Sequence, residues 1–172
     1  LGQFESAIKC YEKVLVIKPN FAEMHNNLGV VFQKAGKLNA ALERFQKALV
    51  IKPDFAEAHN NLGNVFKELQ QDDAAIQSYK KALVINPEYV ESQYSLGNIF
   101  QELGQFESAI KCYEKVLVIK PNFAEVYNNL GNALNKLLQK DEAIKFYEKA
   151  IAIKSDYAGA YANLASALKD LK

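Results

Sequence analysis

The chain has 172 residues, 49% of them hydrophobic, and its 21 Lys or Arg against 20 Asp or Glu leave a formal net charge of +1. That balance fits an ordinary folded chain with its own core, and it offers no basic excess to attract nucleic acid. Apolar runs such as Val14-Leu15-Val16-Ile17 fall far short of the roughly 20 residues a membrane-spanning helix requires. The expectation is a cytoplasmic protein with no membrane or nucleic-acid partner, although Leu1 already lies inside a repeat and leaves an upstream targeting segment open.

One interval governs the whole chain. Pro19, Pro53, Pro87 and Pro121 stand 34 residues apart, with Ser155 in the fifth slot, and Gly29, Gly63, Gly97, Gly131 and Ala165 keep the same step. Such a period marks a solenoid of one repeated supersecondary unit. In chain order, residues 1–21 read as a half repeat consisting of helix B only. Residues 22–55, 56–89, 90–123 and 124–157 follow as four complete repeats, and residues 158–172 as a terminal helix A.

Within the first complete repeat, His25, Leu28, Gly29 and Phe32 fall at i, i+3, i+4 and i+7, one stripe of a helix; Ala41, Phe45, Ala48 and Leu49 make a second. Two such stripes predict a helical hairpin, with small residues where the axes cross. Lys18, Lys52, Lys120 and Lys154 suit the dipole at the end of helix B, and proline then blocks continuation. Asn20, Asp54, Asn122 and Asp156 are the expected N-caps of helix A, with Glu23, Glu57 and Glu125 three residues on in capping-box spacing. Gly2, Gly36 and Gly104 suit a left-handed turn between A and B; Gln70 and Leu138 stand in that slot elsewhere and point to another geometry there.

The Leu-Gly pairs ending at Gly29, Gly63, Gly97 and Gly131 precede aromatic or leucine residues at Phe32, Phe66, Phe100 and Leu134. Ala7, Ala41, Ala75, Ala109 and Ala143 each precede an aromatic by four: Tyr11, Phe45, Tyr79, Tyr113 and Tyr147. This order resembles the tetratricopeptide repeat along the entire chain. The usual tryptophan slot holds His25, His59, Gln93, Tyr127 and Tyr161 instead. The implied fold is all-α: a right-handed α-solenoid of antiparallel helix pairs, ten helices and no sheet.

No catalytic constellation is visible, and no cofactor is expected. There is no phosphate-binding glycine loop, and neither histidine has a neighbouring nucleophile with an orienting carboxylate. His25 and His59 read as packing residues rather than metal ligands, since zinc needs more ligands than the spacing supplies. Cys10 and Cys112 occupy one repeat slot three repeats apart, too far for a disulfide. Residues 1–23 are identical to residues 103–125, exposed positions included, which points to recent duplication or deliberate assembly.

The informative surface is the other face of helix A, which in the family it resembles lines the concave groove. It carries Asn26 and Asn27, Asn60 and Asn61, Asn128 and Asn129, then Asn64, Asn98 and Asn132 about a turn on, and Asn163 in the last helix. A primary amide donates and accepts at once, so a ladder of amides can pair with an extended peptide backbone whatever its side chains. The column Asn27, Asn61, Ser95, Asn129, Asn163 resembles the asparagine ladder of O-linked N-acetylglucosamine transferases. That resemblance implies peptide binding in a concave groove and nothing about glycosyl transfer. Helix packing by the same amides is the other reading, and Ser95 beside Tyr94 interrupts the ladder.

Chaperone-tail binding is disfavoured, because the clamp for acidic carboxyl termini needs lysines and arginine where this chain has Asn26, Glu91 and Ser95. The ends suggest a further possibility. Phe4, Ile8 and Tyr11 lack a partner helix A, and Tyr161, Leu164 and Leu168 lack a partner helix B, which suits head-to-tail self-association. A third possibility is the substrate-recruiting arm of a larger enzyme. The expected function is a non-enzymatic scaffold that binds extended protein segments.

Overall fold

The computed structural model describes residues 2–169. Those residues form ten helices and no strand: α1 (Gly2–Ile17), α2 (Ala22–Lys34), α3 (Leu38–Ile51), α4 (Ala56–Glu68), α5 (Asp72–Ile85), α6 (Val90–Glu102), α7 (Phe106–Ile119), α8 (Ala124–Lys136), α9 (Lys140–Ile153) and α10 (Ala158–Lys169). None of them is long and apolar enough to cross a membrane. The chain divides into two compact units, Leu1–Tyr89 and Val90–Lys172. In the first, α2 pairs with α3 and α4 with α5, while α1 lies on α2 and α3 on α4. In the second, α6 pairs with α7 and α8 with α9, while α7 lies on α8 and α10 on α9. Each unit is an all-α solenoid stack of helical hairpins.

The hairpins close on their aromatic residues. An added Cβ at Gly29 would lie 2.7 Å from Cε1 of Phe45, and the same contact is 2.7 Å at Gly63 with Tyr79, 2.5 Å at Gly97 with Tyr113 and 2.6 Å at Gly131 with Tyr147. Helix A is therefore bare at that point because the ring of helix B lies on its backbone. All four rings are buried, as are Ala41, Ala75, Ala109 and Ala143 one turn earlier. Burying a side chain of this size contributes about 1.5–3 kcal/mol. Leu28, Phe32, Leu62 and Val65 extend the core of the first unit, and Val116, Val126, Leu130 and Leu134 that of the second.

The junctions differ from the capping-box expectation. The N-caps of α2, α4 and α8 are Phe21, Phe55 and Phe123, one residue later than expected, and none makes a side-chain cap bond. Packing decides the boundary: the ring in this slot must sit between repeats, and the lysine three residues earlier covers it. Lys52 lies 4.8 Å above Phe55, Lys120 4.5 Å above Phe123 and Lys154 5.3 Å above Tyr157. The glutamates are used differently too, since Lys52 bridges to Glu23 at 3.2 Å and Lys154 to Glu125 at 3.6 Å.

The A-to-B turns share one geometry. Gly36 and Gly104 have φ of 72°, and Gln70 and Leu138, despite their side chains, have φ of 59° and 62°. Each turn closes with paired backbone bonds, such as Gly36 N–H to Gln33 O at 2.9 Å with Lys37 N–H to Phe32 O at 2.9 Å, and Leu138 N–H to Asn135 O at 3.0 Å with Gln139 N–H to Leu134 O at 3.0 Å. These are Schellman motifs.

Candidate functional site

The asparagines of helix A fall into three columns with different surroundings. Asn26, Asn60 and Asn128 are buried. Asn27, Asn61, Asn129 and Asn163 are half-buried, as are Asn64, Asn98 and Asn132. Repeat stacking brings the columns together. Nδ2 of Asn61 donates to Oδ1 of Asn26 at 3.0 Å, and Nδ2 of Asn163 donates to Oδ1 of Asn128 at 2.9 Å. Nδ2 of Asn129 donates to Oδ1 of Asn98 at 3.1 Å and to the Tyr94 hydroxyl at 3.3 Å, so Tyr94 replaces the amide of its column as an acceptor.

The third column is held from helix B. The hydroxyls of Tyr79, Tyr113 and Tyr147 donate to Oδ1 of Asn64, Asn98 and Asn132 at 2.7, 2.9 and 2.9 Å. Each of these six asparagines beyond Asn27 thus has one end committed to the solenoid and one end without a partner. Asn61, Asn129 and Asn163 keep Oδ1, an acceptor; Asn64, Asn98 and Asn132 keep Nδ2, a donor. On α4 and again on α8, the free acceptor and the free donor are three residues apart, side by side on the helix surface. A peptide unit carries one donor and one acceptor, and the pair offers the complement of each.

Burial governs the ionisation of the groups beneath. It raises the hydroxyls of Tyr113 and Tyr157, and Tyr147 goes to about 12, so all three remain protonated donors at neutral pH. It also lowers His59, whose Nε2–H donates to Pro53 O at 2.9 Å; His25 makes the same bond to Pro19 O at 2.9 Å. In both rings Nδ1 is buried without a partner. The histidines therefore tie the loop before helix A to its first turn.

At the remaining candidate positions, Phe4 is 38% exposed, Tyr161 and Leu168 are each 49% exposed, and Ile8, Tyr11 and Leu164 are half-buried. Sequence patterning left one surface unremarked. Val16, Val50, Val84 and Val118 share a repeat slot in the last turn of helix B and are exposed throughout. Val50 and Val84 flank an open cleft of about 770 Å³ in the first unit, lined also by Leu49, Leu62, Ser78 and Lys81. The recurring Val-x-x-Pro spacing was the available signal.

Models of the TPR repeat match residues 1–36, 34–70, 63–104 and 97–137, and a tetratricopeptide repeat model matches residues 124–157. Comparison with curated proteins yields no match. Among solved structures, the chain is similar to MamA at 34% identity, covering 91% of this chain and 92% of that one with a TM-score of 0.84. It is also similar to YrrB, described as a TPR protein with an unusual peptide-binding site, at 23% identity over 94% of this chain and 83% of that one, with a TM-score of 0.79. PilF of Pseudomonas aeruginosa has 22% identity over 87% of this chain and 68% of that one, with a TM-score of 0.78. The last two likenesses are of fold alone.

Proposed function

Because the chain belongs to the tetratricopeptide repeat family, whose arrays are protein-interaction scaffolds, we propose that the asparagine-bearing face of its A helices holds an extended polypeptide segment. One observation carries this reading: Asn61 and Asn64 on α4, and Asn129 and Asn132 on α8, each present a free acceptor beside a free donor. The committed end of each amide fixes its orientation, so little side-chain freedom is lost on binding. Backbone groups are common to every sequence, so the contact recognises extended conformation, and specificity comes from flanking side chains. Selection of peptides by display, followed by affinity measurement, tests the reading. Asn61→Ala with Asn129→Ala should weaken every selected peptide, and unchanged affinity throughout would sink it.

A second reading rests on the exposure of Phe4, Tyr161 and Leu168. Head-to-tail association would bring α1 of one copy onto α10 of another. Tyr11 would then meet Ala165, whose Cβ occupies the space that the four core glycines leave for a ring. Ala165→Gly should therefore strengthen association, and a sedimentation mass that stays monomeric in both forms would exclude it.

A further inference from the structure

The glutamates at the start of the A helices share a slot but not a charge state of their surroundings. Lys52 neutralises Glu23 at 3.2 Å and Lys154 neutralises Glu125 at 3.6 Å, each lysine coming from the end of helix B in the same repeat. Glu57 has no such partner, because Asn86 stands in the lysine slot of its repeat. Asn86 instead uses its side chain locally, accepting from the Glu88 N–H at 3.1 Å. The Glu57 carboxylate is exposed and makes a single bond, from Nδ2 of Asn26 at 3.0 Å.

That bond sets the polarity of a short relay. A carboxylate only accepts, so Asn26 must turn Nδ2 towards Glu57 and Oδ1 towards Asn61, and Asn61 must donate to it at 3.0 Å. Asn26 is 1% exposed, which fixes the relay in the body of the protein. Two oxygens remain on its solvent side, Oε2 of Glu57 and Oδ1 of Asn61, at i and i+4 of α4 and so on adjacent turns. Together they carry one negative charge and no donor. The other repeats lack the combination: Ser95 replaces the second amide after Glu91, and Lys154 neutralises Glu125.

We propose that Glu57 and Asn61 form a subsite for a cationic side chain, arginine above lysine, projecting from the extended segment in the groove. A guanidinium presents several N–H groups in one plane and can reach both oxygens at once, whereas an ammonium is a more strongly hydrated point charge. The subsite rests on the peptide-binding reading and adds to it the side-chain specificity that backbone contacts cannot provide. A neutral side chain can donate to these acceptors, but only a cation also offsets their charge.

The test uses short labelled peptides of Gly, Ser and Thr that are identical except for one central residue: arginine, its neutral isostere citrulline, or glutamate. Binding to the whole chain is read by fluorescence anisotropy at low and at physiological salt. The arginine peptide should bind about threefold to tenfold tighter than the citrulline peptide, with the advantage shrinking as salt rises, and the glutamate peptide should bind weakest. Glu57→Gln keeps an acceptor for Asn26 and therefore the fold, which thermal unfolding checks. It should bring the arginine peptide to the affinity of the citrulline peptide and relieve the penalty on the glutamate peptide. Equal affinity for arginine and citrulline, or an advantage that survives Glu57→Gln, overturns the subsite and leaves the backbone reading intact. If no peptide binds, both fall.

Discussion

The hydroxyl of Tyr147 donates to Oδ1 of Asn132 at 2.9 Å, and the same bond joins Tyr79 to Asn64 and Tyr113 to Asn98. In the first complete repeat, Phe45 takes the ring slot and Val30 the amide slot, so hydroxyl and acceptor are absent together. The chain carries its own paired substitution. Tyr147→Phe alone should destabilise the second unit by about 1 kcal/mol, and adding Asn132→Val should restore most of that. Denaturant unfolding of the two singles and the double gives the coupling, and strictly additive effects would contradict a direct bond. Burial raises the Tyr147 hydroxyl from 10.0 to about 12, so its contribution is complete below pH 10.0 and is lost as pH rises towards 12.

Leu138 and Gln70 hold left-handed turns that glycine would hold without steric conflict. Leu138→Gly should stabilise the protein by about 0.5–1 kcal/mol, the relief of Cβ strain exceeding the added freedom of the unfolded chain. Gly36→Leu should show the opposite sign. Thermal unfolding of both variants checks this, and a loss of stability in Leu138→Gly would mean that the side chain contributes more than its exposed position indicates.

His59 is held neutral by burial, with its folded value below 6.5. The unfolded chain then binds a proton more readily than the folded one as pH falls. The contribution of this residue is therefore full above about pH 6.5 and lost as pH drops through its lowered folded value. His59→Gln, a residue the chain already places in this slot at Gln93, should flatten that acid loss in denaturant titrations. A pH dependence unchanged by the substitution would assign it to other groups.

The period of the prolines and glycines was enough to locate ten helices and their hairpins, because each repeated residue answers a local packing requirement. The ends of helix A were not legible in the same way. Asn20 and Asp54 have the chemistry of caps, but the ring of the following phenylalanine takes the boundary through contacts between repeats. The left-handed turns at Gln70 and Leu138 were not legible either, because neither residue type favours the positive φ it adopts. For the asparagines, sequence shows which can hydrogen-bond but not with what. Asn26 meets Glu57 and Asn61 from 31 and 35 residues away, and only stacking reveals which end of each amide stays free.

Cys10 and Cys112 share nine identical residues before them and thirteen after, yet Cys10 is exposed and Cys112 buried. Local sequence cannot separate them. Alkylation should show one fast thiol and one that reacts only through opening of the second unit, and Cys10→Ser should remove the fast phase alone. Two equally fast thiols would mean that α7 is not covered as described.

The most direct measurement is a titration of the isotopically labelled chain with a display-selected peptide, followed through the asparagine side-chain amide signals in NMR spectra. The groove account predicts that Asn61, Asn64, Asn129 and Asn132 shift together with the backbone of α4 and α8. Shifts confined to Val50, Val84 and the cleft between α3 and α5, with the asparagine amides unmoved, would place binding on the opposite helices and contradict it.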